Sequence, residues 1–218
     1  PMSNPFLEIE HKFLVAPDFD VDAFVRAVQA LSPRSLAAVT VAEEYFVSQS
    51  RPDLIFRHGY DLLDGAGDTP APQGKQSLIV KNRPAPGASN ESRLEVALRL
   101  DPRRGSQAQA AGALLGLFAF ATAGRLRKQL RAFYFPDCEV VFYRAQRTDE
   151  AATQTGGPTR SICCVEFEAV LPPGPDASPD TVDAARSVLA RYEQQLGFAH
   201  HPREGRTLFQ LLFGDGSI

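Results

Sequence analysis

The chain has 218 residues, 44% hydrophobic and 22% charged, the balance of a soluble globular domain long enough to bury a substantial core. A formal net charge of −3 gives no bulk electrostatic case for nucleic acid or a membrane surface, and no apolar run is long enough to cross a bilayer. Cys138, Cys163 and Cys164 show neither metal-ligand spacing nor an even disulfide framework, and no basic-then-apolar leader opens the chain. Structural thiols and a cytoplasmic location are therefore expected.

Leu7 to Val15 reads as the first strand. A strand sends alternate side chains to opposite faces, so Glu8, Glu10 and Lys12 share one face while Leu7, Ile9, His11, Phe13 and Val15 share the other. Two carboxylates two residues apart repel each other unless a cation lies between them, and their hard oxygens suit Mg²⁺ or Mn²⁺. A solvated strand face is the plainer alternative. Asp20 is a candidate N-cap for a helix over Val21 to Leu31, whose apolar residues recur at helical spacing. Residues 36–48 and Leu54 to Arg57 read as strands, and Gly65 to Gly74 as a loop.

Residues 76–83 and 91–100 alternate most clearly and form two further strands. Gly105 to Ala123 is Ala-rich and apolar, predicted as a helix packed on the sheet. Leu126 to Phe135 is predicted as a strand with Arg125, Arg127, Gln129 and Arg131 along one side. Glu139 to Gln146 and Ser161 to Leu171 follow as strands around a polar loop, the latter presenting Cys164, Glu166, Glu168 and Val170 together. Ser178 or Asp180 caps a helix running to about Leu196, and Arg206 to Phe213 is a short amphipathic helix.

At least seven strands thus carry charge on one face. Either that face meets solvent on an open sheet, or the sheet closes and the charge lines its interior. A solvent face mixes both signs. Here acids pair as Glu8 with Glu10 and Glu166 with Glu168, while Arg57, Lys81, Arg83, Arg125, Arg127 and Arg131 concentrate on other strands. Arg93 and Glu95 are placed to neutralise each other. Acids opposite a basic wall suit a divalent ion bridging phosphate oxygens, with Arg and Lys taking the remaining charge.

The opening Glu8-Ile9-Glu10-His11-Lys12 matches the Glu-x-Glu-x-Lys signature of the CYTH superfamily, the triphosphate tunnel metalloenzymes, and the order of basic and acidic strands over nearly the whole chain resembles that family too. The resemblance implies an α+β fold, a closed antiparallel β-barrel of about eight strands with helices outside, as a single domain over residues 2–218. It implies Glu8, Glu10, Glu166 and Glu168 as metal ligands for Mg²⁺ or Mn²⁺, and Lys12 as the catalytic residue beside the scissile phosphate. Arg57, Lys81 and Arg131 match phosphate-gripping positions, with Arg83, Arg93, Arg125 and Arg127 subject to strand register. Lys128 points away from Arg127 and Arg131 in a regular strand and is left out.

The chain departs from the family pattern in three places. The second strand's Tyr45 is not followed by the usual Asp, the strand from Glu139 has no central acid and leaves Asp149 in the loop, and Arg206 stands where a Lys is common. Phe142 and Tyr143 point to a partly aromatic lining. His11 reads as a core residue, and His58, His200 and His201 have no convergent partner. Hydrolysis of thiamine triphosphate or inorganic triphosphate is the activity the resemblance implies first. The alternatives are a lyase or cyclase acting on an organic diphosphate or nucleotide, and a non-catalytic binder of phosphorylated ligands. The partner expected is a small-molecule polyphosphate, without nucleic acid or membrane.

Overall fold

The computed structural model describes residues 6–64, 67–71, 73–82, 92–101, 103–104, 106–148, 161–171 and 178–214. Eight strands, β1 (Phe6–Val15), β2 (Ser35–Val47), β3 (Leu54–Asp61), β4 (Gln76–Asn82), β5 (Ser92–Leu100), β6 (Ala121–Tyr134), β7 (Glu139–Arg147) and β8 (Ser161–Leu171), close into one barrel in the order β1-β5-β4-β3-β2-β6-β7-β8. Every neighbouring pair is antiparallel, and β8 returns to β1 in a ladder from Leu7↔Leu171 to Val15↔Cys163. Closure pairs every strand on both sides, β1 with β5 over Phe6–Ile9 only. The helices are α1 (Val21–Ala30), α2 (Ser106–Leu117), α3 (Pro179–Gln195) and α4 (Leu208–Phe213), and all lie outside the barrel wall. Among the described residues, no helix is long and apolar enough to cross a membrane.

Two apolar clusters explain which strand faces turn inward. Outside the wall, Ile9, Phe13, Val140, Phe142, Val165 and Phe167 pack with Phe24 and Val28 of α1 and with Leu189 and Tyr192 of α3. That outer cover makes the odd-numbered face of β1 apolar and frees Glu8, Glu10 and Lys12 to face the lumen. His11 lies on this covered face, as expected, and bonds Glu193, whose other oxygen accepts from Arg203 at 3.0 Å. Burial raises the Glu193 carboxyl, but the bonds from His11 and Arg203 outweigh it and hold the group below its ordinary value. Caps fix α1 and α3: Asp20 accepts from the Ala23 N–H, and Ser178, rather than Asp180, accepts from the Thr181 N–H.

The second cluster seals one end of the lumen. Tyr45, Val47, Leu126 and Tyr143 meet Leu208, Phe209 and Leu212 of α4, and the Tyr45 and Phe209 rings lie 5.4 Å apart. Thr207 and Gln210 close a reciprocal capping box at the helix start. Phe213 lies so close to the backbone of β6 that a Cβ at Gly124 would sit 2.1 Å from its ring. Gly124→Ala should therefore cost about 1–3 kcal/mol of unfolding free energy through overpacking. Adding Phe213→Ala should recover part of that loss in denaturant titrations. Strictly additive losses would show that the ring is not what Gly124 accommodates.

The helix expected over 105–123 stops at Leu117. Phe120 N–H bonds Leu115 O, Ala119 N–H bonds Gly116 O, and Ala119 takes a φ of 58°. This is a Schellman turn with Ala where Gly is usual, which hides the stop from a sequence reading. The apolar run then continues as β6 from Ala121, five residues earlier than the expected start at Leu126. Only part of α2 is covered: Leu115 is buried, whereas Leu117 is 84% exposed.

Candidate metal and phosphate site

The lumen forms a cavity of about 390 Å³. Period-2 alternation on β1 and β8 brings Glu8, Glu10, Lys12, Glu166 and Glu168 into it together, from opposite ends of the chain. Glu10 and Glu168 are directly paired across the two strands, as are Lys12 and Glu166. One carboxylate oxygen each from Glu10, Glu166 and Glu168 lies within 4.8 Å of the others. Oxygens around an octahedral ion at ~2.1 Å are separated by about 3–4.2 Å, so a trio gathered within 4.8 Å could hold a divalent ion. Glu8 lines the same cavity but stands outside the trio and meets Lys81 at 3.5 Å.

Crowded negative charge leaves its mark on the carboxyls. Burial raises Glu168 well above the ordinary carboxylate range, and Glu8, Glu166, Glu139 and Glu10 push it further. Burial and the same neighbourhood raise Glu139 to about 7. A divalent ion would relieve that crowding. Within the cluster, the Lys12 ammonium lies 2.6 Å from Glu10 and 3.2 Å from Glu166, and Tyr143 donates to Glu166 at 2.7 Å. The C-terminal segment holds Lys12 in place: the Glu204 N–H bonds the Lys12 carbonyl, and the Arg206 carbonyl lies 3.5 Å from its ammonium. The Arg206 side chain itself is engaged by Glu204.

Deeper in the lumen, Glu43 sits between Lys128 at 3.1 Å and Arg57 at 3.4 Å and accepts from the Tyr45 hydroxyl at 2.8 Å. Burial alone would raise this carboxyl, but Lys128, Arg57 and Tyr45 together bring it down to about 2. Burial and the Glu43 charge push the Tyr45 phenol upward. Lys81 pairs with the buried Glu95. The Arg57 Nε is buried and has no hydrogen-bond partner among the described residues.

Several expected contributors lie elsewhere. Arg127 and Arg131 are on the outer face of β6, paired with Asp68 at 2.7 Å and Asp22 at 3.8 Å, and Arg125 pairs with Glu44 there. Lys128, set aside from the sequence, is the residue of this stretch that lines the cavity. The outer face of β6 meets water at Arg125 and Arg127, and α1 reaches it only towards the Arg131 end, so charge marks the outside of this strand. Phe142 likewise points outward to Phe19 and Phe24, while Tyr143 faces in. Arg83 and Asp149 lie outside the described residues, as does the Arg93 side chain, although the Arg93 backbone pairs with Glu8. Glu43, Glu139, Lys75 and Lys128 line the cavity without having been singled out. The inward alternation through Val41, Glu43 and Tyr45 was the available signal for Glu43.

Among the described residues, the cysteines and histidines form no second site. Cys163 faces the outer cluster and Cys164 the inner one, as adjacent strand residues must, and burial first and Glu166 second push Cys164 up to about 12. His58 faces outward beside Tyr60, and His200 and His201 are exposed.

No family model matches the chain, and no curated protein matches it in sequence. Solved structures do match. One is a candidate adenylate cyclase from Vibrio parahaemolyticus, with a TM-score of 0.60 at 14% identity over 94% of this chain and 97% of that one. Another is HpAC1 from Hippeastrum, a candidate adenylyl cyclase described as having a dominant triphosphatase activity, with a TM-score of 0.54 at 17% identity over 95% and 94%. A third is a chain of the Schizosaccharomyces pombe Mediator head module, with a TM-score of 0.60 at 12% identity over 90% and 97%. Neighbours so different in role carry the architecture rather than one activity, and the chain shares their fold.

Proposed function

We propose that the chain is a divalent-metal-dependent phosphohydrolase that cleaves a triphosphate-containing small molecule inside the lumen. Thiamine triphosphate and inorganic triphosphate are the first substrates to test. The observation that carries this reading is the trio of buried Glu10 and Glu166 and half-buried Glu168 beside Lys12. Those three carboxylates would hold Mg²⁺ or Mn²⁺, with Glu8 at the edge of the site. The ion would supply charge neutralisation at phosphate oxygens. Lys12 would act at the reacting phosphorus, and Arg57 and Lys81 would hold the rest of the phosphate chain, the unpartnered Arg57 Nε supporting an anion there. Buried free thiols fit a cytoplasmic location.

Phosphoryl transfer needs positioning and electrostatics more than covalent help, which this constellation can supply. Mg²⁺ or Mn²⁺ at millimolar concentration should raise the melting temperature by binding the folded state preferentially. Glu10→Gln with Glu166→Gln should abolish that rise and any metal-dependent phosphate release. A wild-type melting curve indifferent to both ions, with no phosphate released from a panel of tri- and diphosphates, would sink the proposal. A second reading, action on an organic diphosphate or nucleotide without hydrolysis, is favoured by one observation, the aliphatic patch in the lining at Val39, Val41, Leu130 and Val141. Product analysis on the same panel separates the two.

A further inference from the structure

We infer that the ligand is amphiphilic, an oligophosphate monoester of an apolar alcohol rather than a bare inorganic polyphosphate. This rests on the phosphate reading above and names its substrate class. The strand order places β2, β6 and β7 across the barrel from β1, β5 and β4. The charged wall carries Glu8, Glu10, Lys12 and Lys81, whereas the wall opposite presents Ala37, Val39, Val41, Leu130, Ala132 and Val141 to the same cavity.

Register makes those six one strip. Ala37 pairs with Ala132, Ala132 with Val141, and Val39 with Leu130. Polar residues border it: Lys128 pairs with Val41 and Tyr143 with Leu130, and both are engaged, Lys128 by Glu43 and the Tyr143 hydroxyl by Glu166. The charges on these strands are Glu43 and Lys128, paired to each other at the Val41 end, and Glu139 at the other. The helix α4 seals the lumen at Tyr45, and Val39 lies six residues, about 20 Å of strand, away from that seal. Val39, Val41 and Leu130 accordingly keep part of their surface open to the cavity.

A polyphosphate has only oxygen to offer, so it would leave this strip facing water. Covering it with an alkyl, alkenyl or aryl group removes apolar surface from water on both partners. The six side chains carry no donor or acceptor for a nucleobase or a sugar, and the bordering Tyr143 and Lys128 are held by Glu166 and Glu43, so the strip favours an apolar group over a nucleoside. The phosphates and the apolar group would then lie against opposite walls, each matched in chemistry.

The test is calorimetry on the full chain with Mg²⁺, using inorganic tripolyphosphate and a series of n-alkyl diphosphates and triphosphates from methyl to octyl. Affinity should rise about fourfold per added methylene until the strip is covered. Val39→Thr with Val41→Thr keeps the side-chain shape while adding hydroxyls, and should flatten that slope. Leu130→Asn should flatten it independently if the first variant folds poorly. A flat series in wild type, with tripolyphosphate still bound, overturns this inference and leaves the phosphate reading intact. Binding of neither class overturns both. A slope that survives both variants overturns the assignment to this wall.

Discussion

Lys12→Ala should lower turnover by about 10²–10³-fold while substrate affinity changes far less. Its ammonium sits inside the acid cluster, 2.6 Å from Glu10 and 3.2 Å from Glu166, and is only 3% exposed. A charge fixed in a dry site stabilises developing negative charge without reorganising, which is why single donors of this kind carry so much of the rate. Ground-state phosphate has other cations to meet, so the loss falls on kcat. Arg57→Ala makes the contrast: it should weaken binding about ten- to a hundredfold, the value of one charge-assisted contact. Lys12→Arg should rescue little, because a planar fork does not replace a compact ammonium between two carboxylates. The metal-induced rise in melting temperature should persist in Lys12→Ala, since Lys12 and the ion compete for the same oxygens. Loss of that rise together with turnover would instead make Lys12 a prop for the metal site. Equal losses in affinity and turnover would make it a binding residue only.

Closure of the barrel and the convergence of β1 with β8 were legible because both strands keep strict alternation under a helical cover. Where α1 and α3 press on the outside, apolar residues must face out, and the charge of Glu8, Glu10, Glu166 and Glu168 has only the lumen left. The same rule misreads β6. Its outer face is reached by α1 only towards Arg131, and Arg125, Arg127 and Arg131 end in surface ion pairs, while Leu126, Lys128, Leu130 and Ala132 turn inward. Polarity along a strand identifies two faces but says which is inside only when the outer neighbour is known. The junction of α2 and β6 was hidden for a different reason. Helix and strand share one apolar run, and the break is made by an Ala in the left-handed region, where a Gly would have announced it. Glu43 went unseen because its value lies in Lys128 and Arg57, which come from two other strands.

Glu43→Gln should cost about 3–5 kcal/mol at pH 7, the usual penalty for breaking a buried ion pair and stranding its partners. The carboxylate is 4% exposed and is flanked by two cations and a phenol. An amide keeps the shape and can still accept from Tyr45, so the loss measures charge rather than packing. The pH dependence gives the sharper check. Folding lowers this carboxyl from 4.5 to about 2, so its contribution is fully present above pH 4.5 and is lost as pH falls through 2. A shift of that size corresponds to about 3 kcal/mol. Glu139 and Glu168 run in the opposite sense, since burial and like charge raise them and acidification relieves their repulsion. They are common to both proteins, so the difference between wild type and Glu43→Gln isolates Glu43. Urea unfolding at pH steps from 7 to 2.5 should show that difference constant down to about pH 5 and then shrinking. A difference that stays constant down to the lowest pH would mean that the loss comes from packing or hydrogen bonding rather than from the Glu43 charge.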